Sequence, residues 1–423
     1  MLHRRRKDHE TIAAIDIGAS KVSCFIARIA HEPDMPPHVE IIGVGHHGAA
    51  VKPRSAVSAD QLETNIRKAV AAAERMADLR IDRAAIAVSG KSLRTRRIGV
   101  DLDVADGVVT TEDIEDCLRE GARLTASAEC GALHAVPTSY KIDGEEIFND
   151  PVGLNGATLS TEMLGVSARQ SALDNLSVLI ERCSLTPGDF VASPVAAAEA
   201  TLIEDEKDLG VILIDIGALS TGYAVYDNGA LVDCGGVGLG GGHITKDIAQ
   251  IFGTPIAQAE RIKTLYGAAL IGPGDEHRFV DFPQLGPGGD HSRASRADLC
   301  EVIIPRMEEI FEMVLAQLPE ESLHRSDLRR AVVTGGGSLL VGAREIAEKA
   351  LSMKTRLGRP IAIPGAPDVA SAPGFAACAG VIQCFVNSAG DGQFALGVTR
   401  QSPHPLTQSV LFGGVEAWLR QKF

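Results

Sequence analysis

Two aspartates give the first sign of chemistry. Asp16 lies in Ile15-Asp16-Ile17-Gly18-Ala19, and Asp215 lies in a second copy of the same five residue types, Ile214-Asp215-Ile216-Gly217-Ala218. Each follows a short apolar run, Thr11–Ile15 or Val211–Ile214, of the kind that forms a buried strand. Small or hydroxyl residues come next: Ala19-Ser20-Lys21 in one copy, Ala218-Leu219-Ser220-Thr221-Gly222 in the other. A second strand-like run then follows, Val22–Ile29 and Tyr223–Tyr226. Such a turn presents backbone N–H groups that can face an anion. An Asp at the end of the strand can hold a hydrated Mg²⁺ beside it. Two of these hairpins would clamp a polyphosphate from opposite sides. Two buried hairpins whose turns are merely alike would look the same at this stage.

A third turn joins them. Ala331–Thr334 reads as a strand running into Gly335-Gly336-Gly337-Ser338, with a helix expected to start near Leu339. Strand, glycine turn and helix N-terminus form a phosphate or nucleoside site. Alone, the same residues fit a close backbone crossing equally well.

The elements that must position these turns can be read in order. Val39–Gly45 is a third strand, Ala59–Leu79 an amphipathic helix, and Ala84–Ser89 a further strand, giving the order β-β-β-α-β. Residues from about Lys91 to Arg169 form a separate unit, with strands Leu93–Ile98 and His134–Ile142, a helix at Thr111–Ser127, and a closing strand Met163–Ala168. A helix at Ser171–Cys183 leads into Ser193–Ala200, whose alanines permit close approach of a neighbouring backbone. After the second hairpin come helices at Ile244–Ile251 and Ile256–Tyr266. A loop is expected over Ile271–Arg296, dense in Gly, Pro and charge. A long helix spans Arg296–Leu318, where Pro305 must either kink it or divide it. Phe375–Val386 is the last packed helix, and Asn387–Gln408 reads as a flexible linker.

Composition bounds the function. A chain of 423 residues exceeds one ordinary core, so two or more domains are expected. With 45% hydrophobic and 23% charged residues it has the make-up of a globular protein. A net charge of −14 opposes general binding to nucleic acid. The eight cysteines form no Cys-x-x-Cys and read as small buried hydrophobes in a reducing cytoplasm. Met1–Glu10 is basic but has no apolar core of a secretory signal, and reads as a disordered tail.

The far end carries a different signal. At about 100° per residue, Leu411, Phe412, Val415, Trp418, Leu419 and Phe423 fall on one helical face. The only Trp of the chain is among them. A short amphipathic helix on a polar linker has the form of an interfacial membrane anchor. Docking on the chain's own core or in a partner groove is the alternative.

Taken together, the two Asp-Gly hairpins and the later glycine turn resemble the phosphate-1, phosphate-2 and adenosine motifs of the actin/Hsp70/sugar-kinase superfamily. Within it, the chain resembles the FtsA family of bacterial cell-division proteins. Three features carry that likeness: the insert, especially Tyr140–Gly156 with Asp150-Pro151-Val152-Gly153-Leu154-Asn155-Gly156; the run Gly242-His243-Ile244-Thr245-Lys246-Asp247-Ile248-Ala249; and the linker with its amphipathic end. The resemblance implies an α/β, actin-like ATPase fold of two duplicated ribonuclease-H-like domains with an inserted subdomain 1C and a C-terminal amphipathic helix. Subdomain 1A would take residues 11–90, 170–205 and 365–386, and subdomain 1C residues 91–169. Subdomain 2A would take 206–242 and 304–364, and subdomain 2B 243–303, followed by a linker at 387–408 and the helix at 409–423.

Function follows as a further implication. Such proteins bind ATP and Mg²⁺, polymerise, tether the tubulin-like FtsZ through its C-terminal peptide to the cytoplasmic face of the inner membrane, and recruit later divisome proteins there. Asp16 and Asp215 would face Mg²⁺. Gly18, Ala19, Ser20 and Lys21, with Gly217, Ala218, Ser220 and Thr221, would wrap the β- and γ-phosphates. Glu260 and Lys263 would meet ribose and adenine, although they also fit a plain exposed helix pair. Gly335, Gly336, Gly337 and Ser338 would line the adenosine. Two departures matter. The superfamily's second hairpin usually runs Asp-x-Gly-Gly-Gly-Thr, whereas Ala218 and Leu219 stand here. Ser193 offers no strong base at the corner where hydrolytic relatives position water. ATP turnover is therefore expected to be slow, with ATP acting as an assembly cofactor. A small-molecule kinase and an actin-like pilus-assembly adaptor are the competing readings.

The anchor reading makes a direct prediction. Deleting Ser409–Phe423 abolishes flotation with anionic vesicles and leaves ATP binding intact; flotation unchanged by the deletion would remove the anchor assignment.

Overall fold

The computed structural model describes residues 9–30, 37–48, 58–89, 92–147, 150–286, 290–319, 328–391 and 395–396. The expected amphipathic end, with Leu411, Phe412, Val415, Trp418, Leu419 and Phe423, lies outside them.

The first half starts with β1 (His9–Ile17), β2 (Lys21–Ala30) and β3 (His38–Gly48), an antiparallel meander. Helix α1 (Ala59–Ala77) then crosses back to β4 (Arg83–Val88), which runs parallel to β1. The Ser58 hydroxyl accepts the Gln61 N–H and caps α1, and Asp78 ends it in the left-handed conformation. An insert follows: β5 (Leu93–Asp103), α2 (Thr111–Thr125), β6 (Cys130–Ile142), β7 (Glu145–Ile147) and β8 (Thr158–Arg169). Helix α3 (Gln170–Arg182) returns the chain to β9 (Thr186–Ala192), and α4 (Ser193–Thr201) closes this half. Its sheet order is β3-β2-β1-β4-β9.

The second half repeats the plan. After the short α5 (Glu204–Asp208), β10 (Val211–Ile216), β11 (Thr221–Asp227) and β12 (Ala230–Val237) form the meander. Helices α6 (Gly241–Ile251) and α7 (Ile256–Tyr266), the hairpin β13 (Phe279–Pro283) and β14 (His291–Ser295), and α8 (Arg296–Leu315) come next. Then follow β15 (Arg330–Thr334), α9 (Ala343–Leu351), β16 (Lys354–Leu357), α10 (Ala376–Asp391) and the two-residue β17 (Ala395–Leu396). The sheet order β12-β11-β10-β15-β16 matches the first sheet strand for strand. The five-residue repeat thus marks a duplicated architecture.

Four differences from the sequence reading have physical causes. Residues 271–296 are not one loop: β13 and β14 pair from Phe279↔Ser295 to Pro283↔His291. Only Val280 and Phe282 turn inward on β13, too few for a period-two pattern to stand out. The buried Asp275 fastens this hairpin, accepting from the Gly272 N–H (2.8 Å) and from Arg296 Nη1 (2.6 Å). The helix expected near Leu339 begins at Ala343; a tight 3-10 turn, Gly336–Leu339, comes first because the glycines allow it. Helix α8 stays continuous through Pro305 to Leu315, held by a Ser295–Asp298 capping box and a buried face of Leu299, Ile303, Met307 and Phe311. Helix α10 continues to Asp391, five residues into the stretch read as linker, and β17 pairs with β6 at Ala395↔Ala135 and Leu396↔His134.

The two halves meet on α4, whose residues are all buried. Helix α10 crosses it so closely that a Cβ on Gly380 would lie 1.6 Å from the Ala196 carbonyl oxygen. At the same crossing, Glu199 is buried and accepts from Lys207 (3.1 Å), Tyr226 (3.0 Å) and Asn387 (2.9 Å). The insert has its own core around Ile98, Cys117, Leu118, Leu159 and Met163. It joins both halves. His134 Nε2 on β6 accepts the Ala192 N–H (2.9 Å), and burial holds this imidazole down to about 4, neutral and able to accept. Thr95 on β5 donates to Asp233 on β12 (2.9 Å). All eight cysteines are free thiols, and six are buried.

The α4–α10 crossing sets a prediction. Gly380→Ala forces the helices apart and costs about 1–3 kcal/mol, measured as a lower urea midpoint; an unchanged midpoint would show the crossing to be loose.

Candidate functional site

The site grows from the ends of β1 and β10. Asp16 is paired across β1–β2 with Ser23, and Asp215 across β10–β11 with Gly222. The turns beyond them have the same shape. A Cβ on Gly18 would lie 2.9 Å from Lys21 O, and one on Gly217 would lie 2.9 Å from Ser220 O. The second turn is closed by the Gly217 N–H on Ser220 O (3.0 Å). The second turn therefore closes over the same number of residues as the first, with Ala218 and Leu219 inside it.

The two carboxylates feel each other and one nearby cation. Lys21 lies within electrostatic reach of both, and burial lowers its pKa while Asp16 works against that. Burial raises the pKa of Asp16, only partly countered by Lys21. Asp215 is pushed up to about 7, first by burial and then by the charge of Asp16. The Lys21 ammonium also stands 3.5 Å from the centre of the Phe375 ring and directly over Gly374, where a Cβ would lie 2.7 Å from Nζ. The Ser193 hydroxyl, at the start of α4, donates to Asp215 at 3.5 Å.

The glycine turn closes the same cleft. Gly335, at φ 83°, lies against Asp215, and a Cβ there would meet Asp215 Oδ1 at 2.3 Å. Gly337 lies against Ile216, while Gly336 is exposed and a Cβ on it would meet nothing within 4 Å. Gly241, at the start of α6, faces Gly217, Lys263 and Gly337 together. Lys263 is mostly buried and donates to Gly241 O (2.9 Å), Thr245 (2.8 Å) and Glu260 (2.8 Å); Thr245 also bonds Glu260. The pair is thus a bridge between α7 and α6, not a plain exposed helix pair.

Some expected contacts point elsewhere. Thr221 is fully buried and donates to Leu239 O (2.9 Å). Ser338 is buried and donates to Gly335 O (2.7 Å), closing its own turn. The N–H groups of Gly241 and Gly242 are taken by Gly217 O (2.9 Å) and Ala218 O (2.7 Å), so the first N–H groups of α6 fasten the second turn. Asp16, Lys21, Asp215, Gly217, Lys263, Gly335 and Gly337 are linked by the contacts above, with Gly18, Ala19 and Ser20 in the first turn, Ala218 and Ser220 in the second, Glu260 on Lys263 and Gly336 in the glycine turn. Thr245, Gly241, Gly374 and Phe375 were not expected at the site. The run Gly240-Gly241-Gly242 was a usable signal; nothing local marked Phe375, which arrives from a distant part of the chain.

The donor set bears on a metal. No group of three or more His, Cys, Asp or Glu side chains that could hold an ion occurs among the described residues. Two carboxylates with one ammonium suit a cation that brings water or an anion as its remaining ligands. Among the described residues, no helix is long and apolar enough to cross a membrane.

Comparison with known proteins decides the family. A family model described as "Cell division protein FtsA" matches residues 212–380, and another, "SHS2 domain inserted in FTSA", matches residues 90–167. The cell division protein FtsA of Agrobacterium fabrum is 33% identical over 385 residues, covering 89% of this chain and 87% of that protein. The chain belongs to the FtsA family. FtsA of Rhizobium meliloti is 31% identical, with 99% of this chain and 96% of the relative covered. FtsA of Escherichia coli is 29% identical, with 98% and 99% covered. Among solved structures, a chain of a PilM–PilN type IV pilus biogenesis complex aligns with TM-score 0.59 at 17% identity, over 87% of this chain and 96% of that one. MreB5 of Spiroplasma citri bound to ADP aligns with TM-score 0.50 at 13% identity, over 90% and 99%. The fold of this FtsA-family chain is accordingly actin-like, and β5–β8 with α2 form its inserted subdomain.

Burying Asp215 beside Asp16 has a testable cost. Because Asp215 titrates near 7 in the folded protein and near 3.8 when unfolded, the fold binds the extra proton between those values, and stability falls as pH rises through that window. Asp215→Asn should flatten this loss and raise the melting temperature of the ligand-free protein more at pH 7.5 than at pH 5. Equal effects at both pH values would contradict the burial of Asp215 beside Asp16.

Proposed function

We propose that this FtsA-family protein binds ATP with Mg²⁺, polymerises at the cytoplasmic face of the inner membrane, tethers FtsZ there through its C-terminal peptide and recruits later divisome proteins. The observation that carries the nucleotide reading is the convergence of both hairpin turns and the glycine turn on Asp16, Lys21 and Asp215. The residues suit a polyphosphate with a divalent cation. The cation would supply the positive charge that the two desolvated carboxylates lack, and the phosphates would take the Lys21 ammonium.

The chain's own parts then divide the work. Asp16 and Asp215 would hold the hydrated cation, which would offset their charge beside the phosphates. The turns Gly18–Lys21 and Gly217–Ser220 lie against the phosphates, and Thr221 braces the second turn from behind through Leu239 O. Gly335, Gly336 and Gly337 lie against the nucleoside, with Gly336 leaving room for it. Lys263, whose three donors are taken by Gly241 O, Thr245 and Glu260, braces α7 against α6, and Glu260 would be the member of the pair left to meet the ribose. Ser193 orients on Asp215 and provides no base with a pKa suited to activating water, so nucleotide is held longer than it is consumed. Membrane binding rests on the amphipathic end read from the sequence, and partner binding rests on the family.

The test uses the full chain with anionic vesicles, a labelled FtsZ C-terminal peptide and ATP·Mg²⁺. The peptide should float with the vesicles only when the protein is present, and ATP turnover should stay below about one per second. Lys21→Ala should weaken nucleotide binding at least about tenfold, or about 1.4 kcal/mol. A peptide left unbound, or turnover of several per second, would overturn the corresponding part of the proposal.

A further inference from the structure

The outer edge of β3 lies away from the cleft and has a distinct chemistry. Strand β3 pairs with β2 alone, so it is an edge of the first sheet. The lower part of that edge is covered: the Ile41 N–H donates to Pro364 O (2.8 Å), and Gly365 lies against Ile41 O. Higher up the cover changes. The Val44 N–H is met by the thioether of Met76 (3.3 Å), a side chain that is itself exposed. A thioether is a weak acceptor, and a peptide carbonyl would replace it with gain.

Beside this edge runs a groove of about 420 Å³ between β3 and α1, lined by His46, His47, Arg67, Lys68, Ala71, Ala72 and Arg75. Small alanines form its floor and cations its wall. The neighbouring acids are already engaged. Glu63 pairs with Arg67 and Arg182 (2.8 Å to the latter), and Glu74 pairs with Arg80 (2.8 Å) and accepts the Ile81 N–H (3.0 Å). No ion pair involves Lys68 or Arg75 among the described residues. In a chain of net charge −14, this is a local surplus of positive charge.

A strand edge held only by a thioether, beside a basic groove, suits one kind of occupant. A strand added to β3 would replace the thioether on the Val44 N–H with a peptide carbonyl, and every second side chain of that strand would face the side of the groove that carries Lys68 and Arg75. We propose that the β3–α1 groove is a docking site for an acidic segment of a partner protein, bound in extended form as an added strand. The long-range field of the groove steers it, and backbone pairing fixes its register.

The probe is a labelled peptide of alternating glutamate and valine, titrated against the full chain. Binding should be saturable, with a dissociation constant at or below about 100 μM. It should weaken several-fold as salt rises from low to high ionic strength. The double substitution Lys68→Glu with Arg75→Glu should weaken it at least about tenfold; both residues are exposed, and an unchanged melting curve confirms that the variant folds. Peptide N-methylated at alternate positions, which cannot pair as a strand, should lose affinity by a similar factor, while a lysine–valine peptide should not bind. Four results would overturn the proposal: no saturable binding, affinity unchanged in the double variant, affinity unchanged by N-methylation, or sedimentation showing that the double substitution abolishes self-association while peptide binding persists. The last would mark the face as a contact between copies of this chain.

Discussion

Two buried carboxylates at the ends of equivalent strands lie within electrostatic reach of each other and of one ammonium, and much of the molecule is arranged to hold them there. Like charges in a desolvated place repel strongly, and no isolated strand end would keep them together. Asp16 stays because β1 is locked between β2 and β4, with Ile15 fully buried beside it. Asp215 stays because β10 is locked between β11 and β15, with Ile214 equally buried. Gly335 must have no side chain, since Asp215 fills that space. Each sheet supplies one charge, so the relation between the two halves sets the electrostatics of the cleft.

The interlocks elsewhere protect that relation. Helix α4 begins at Ser193 beside Asp215 and continues to Glu199, whose carboxylate gathers Lys207, Tyr226 and Asn387 from three other elements. The inserted subdomain reaches both halves, through His134 to the end of β9 and through Thr95 to Asp233 on β12. Ala192, which donates to His134, is followed directly by Ser193. A change at the insert therefore lies one peptide bond from a residue that touches the cleft.

Much of this plan can be read from the residues alone. The repeated pentapeptide, the third glycine turn and the order β-β-β-α-β lead to the duplicated halves, because each rests on a local period or turn preference. The bulk of the cleft residues follow from the same turns. What could not be read depends on distant parts of the chain. Phe375 reaches Lys21 from a segment with no motif of its own, and Thr245 matters only because α7 brings Lys263 to it. The β13–β14 hairpin was hidden because its inward side chains are too few to form a pattern and its anchor, Asp275 with Arg296, spans the whole segment. Thr221 and Ser338 looked like ligand contacts by type, yet their hydroxyls are consumed by Leu239 and Gly335 carbonyls, which only the folded geometry reveals.

The knot at Glu199 has a mechanical consequence. Asn387 lies near the end of α10, and its side chain is tied into the crossing. Tension applied from the C-terminal direction would meet the β17–β6 pairing first, then this bond, and through Glu199 reach Lys207 and Tyr226, before it loaded the sheets of the two halves. Separating a buried charge from its partners costs about 3–5 kcal/mol, so the knot would act as a shear pin, taking load at the seam between the halves while the strands that carry Asp16 and Asp215 remain unstrained.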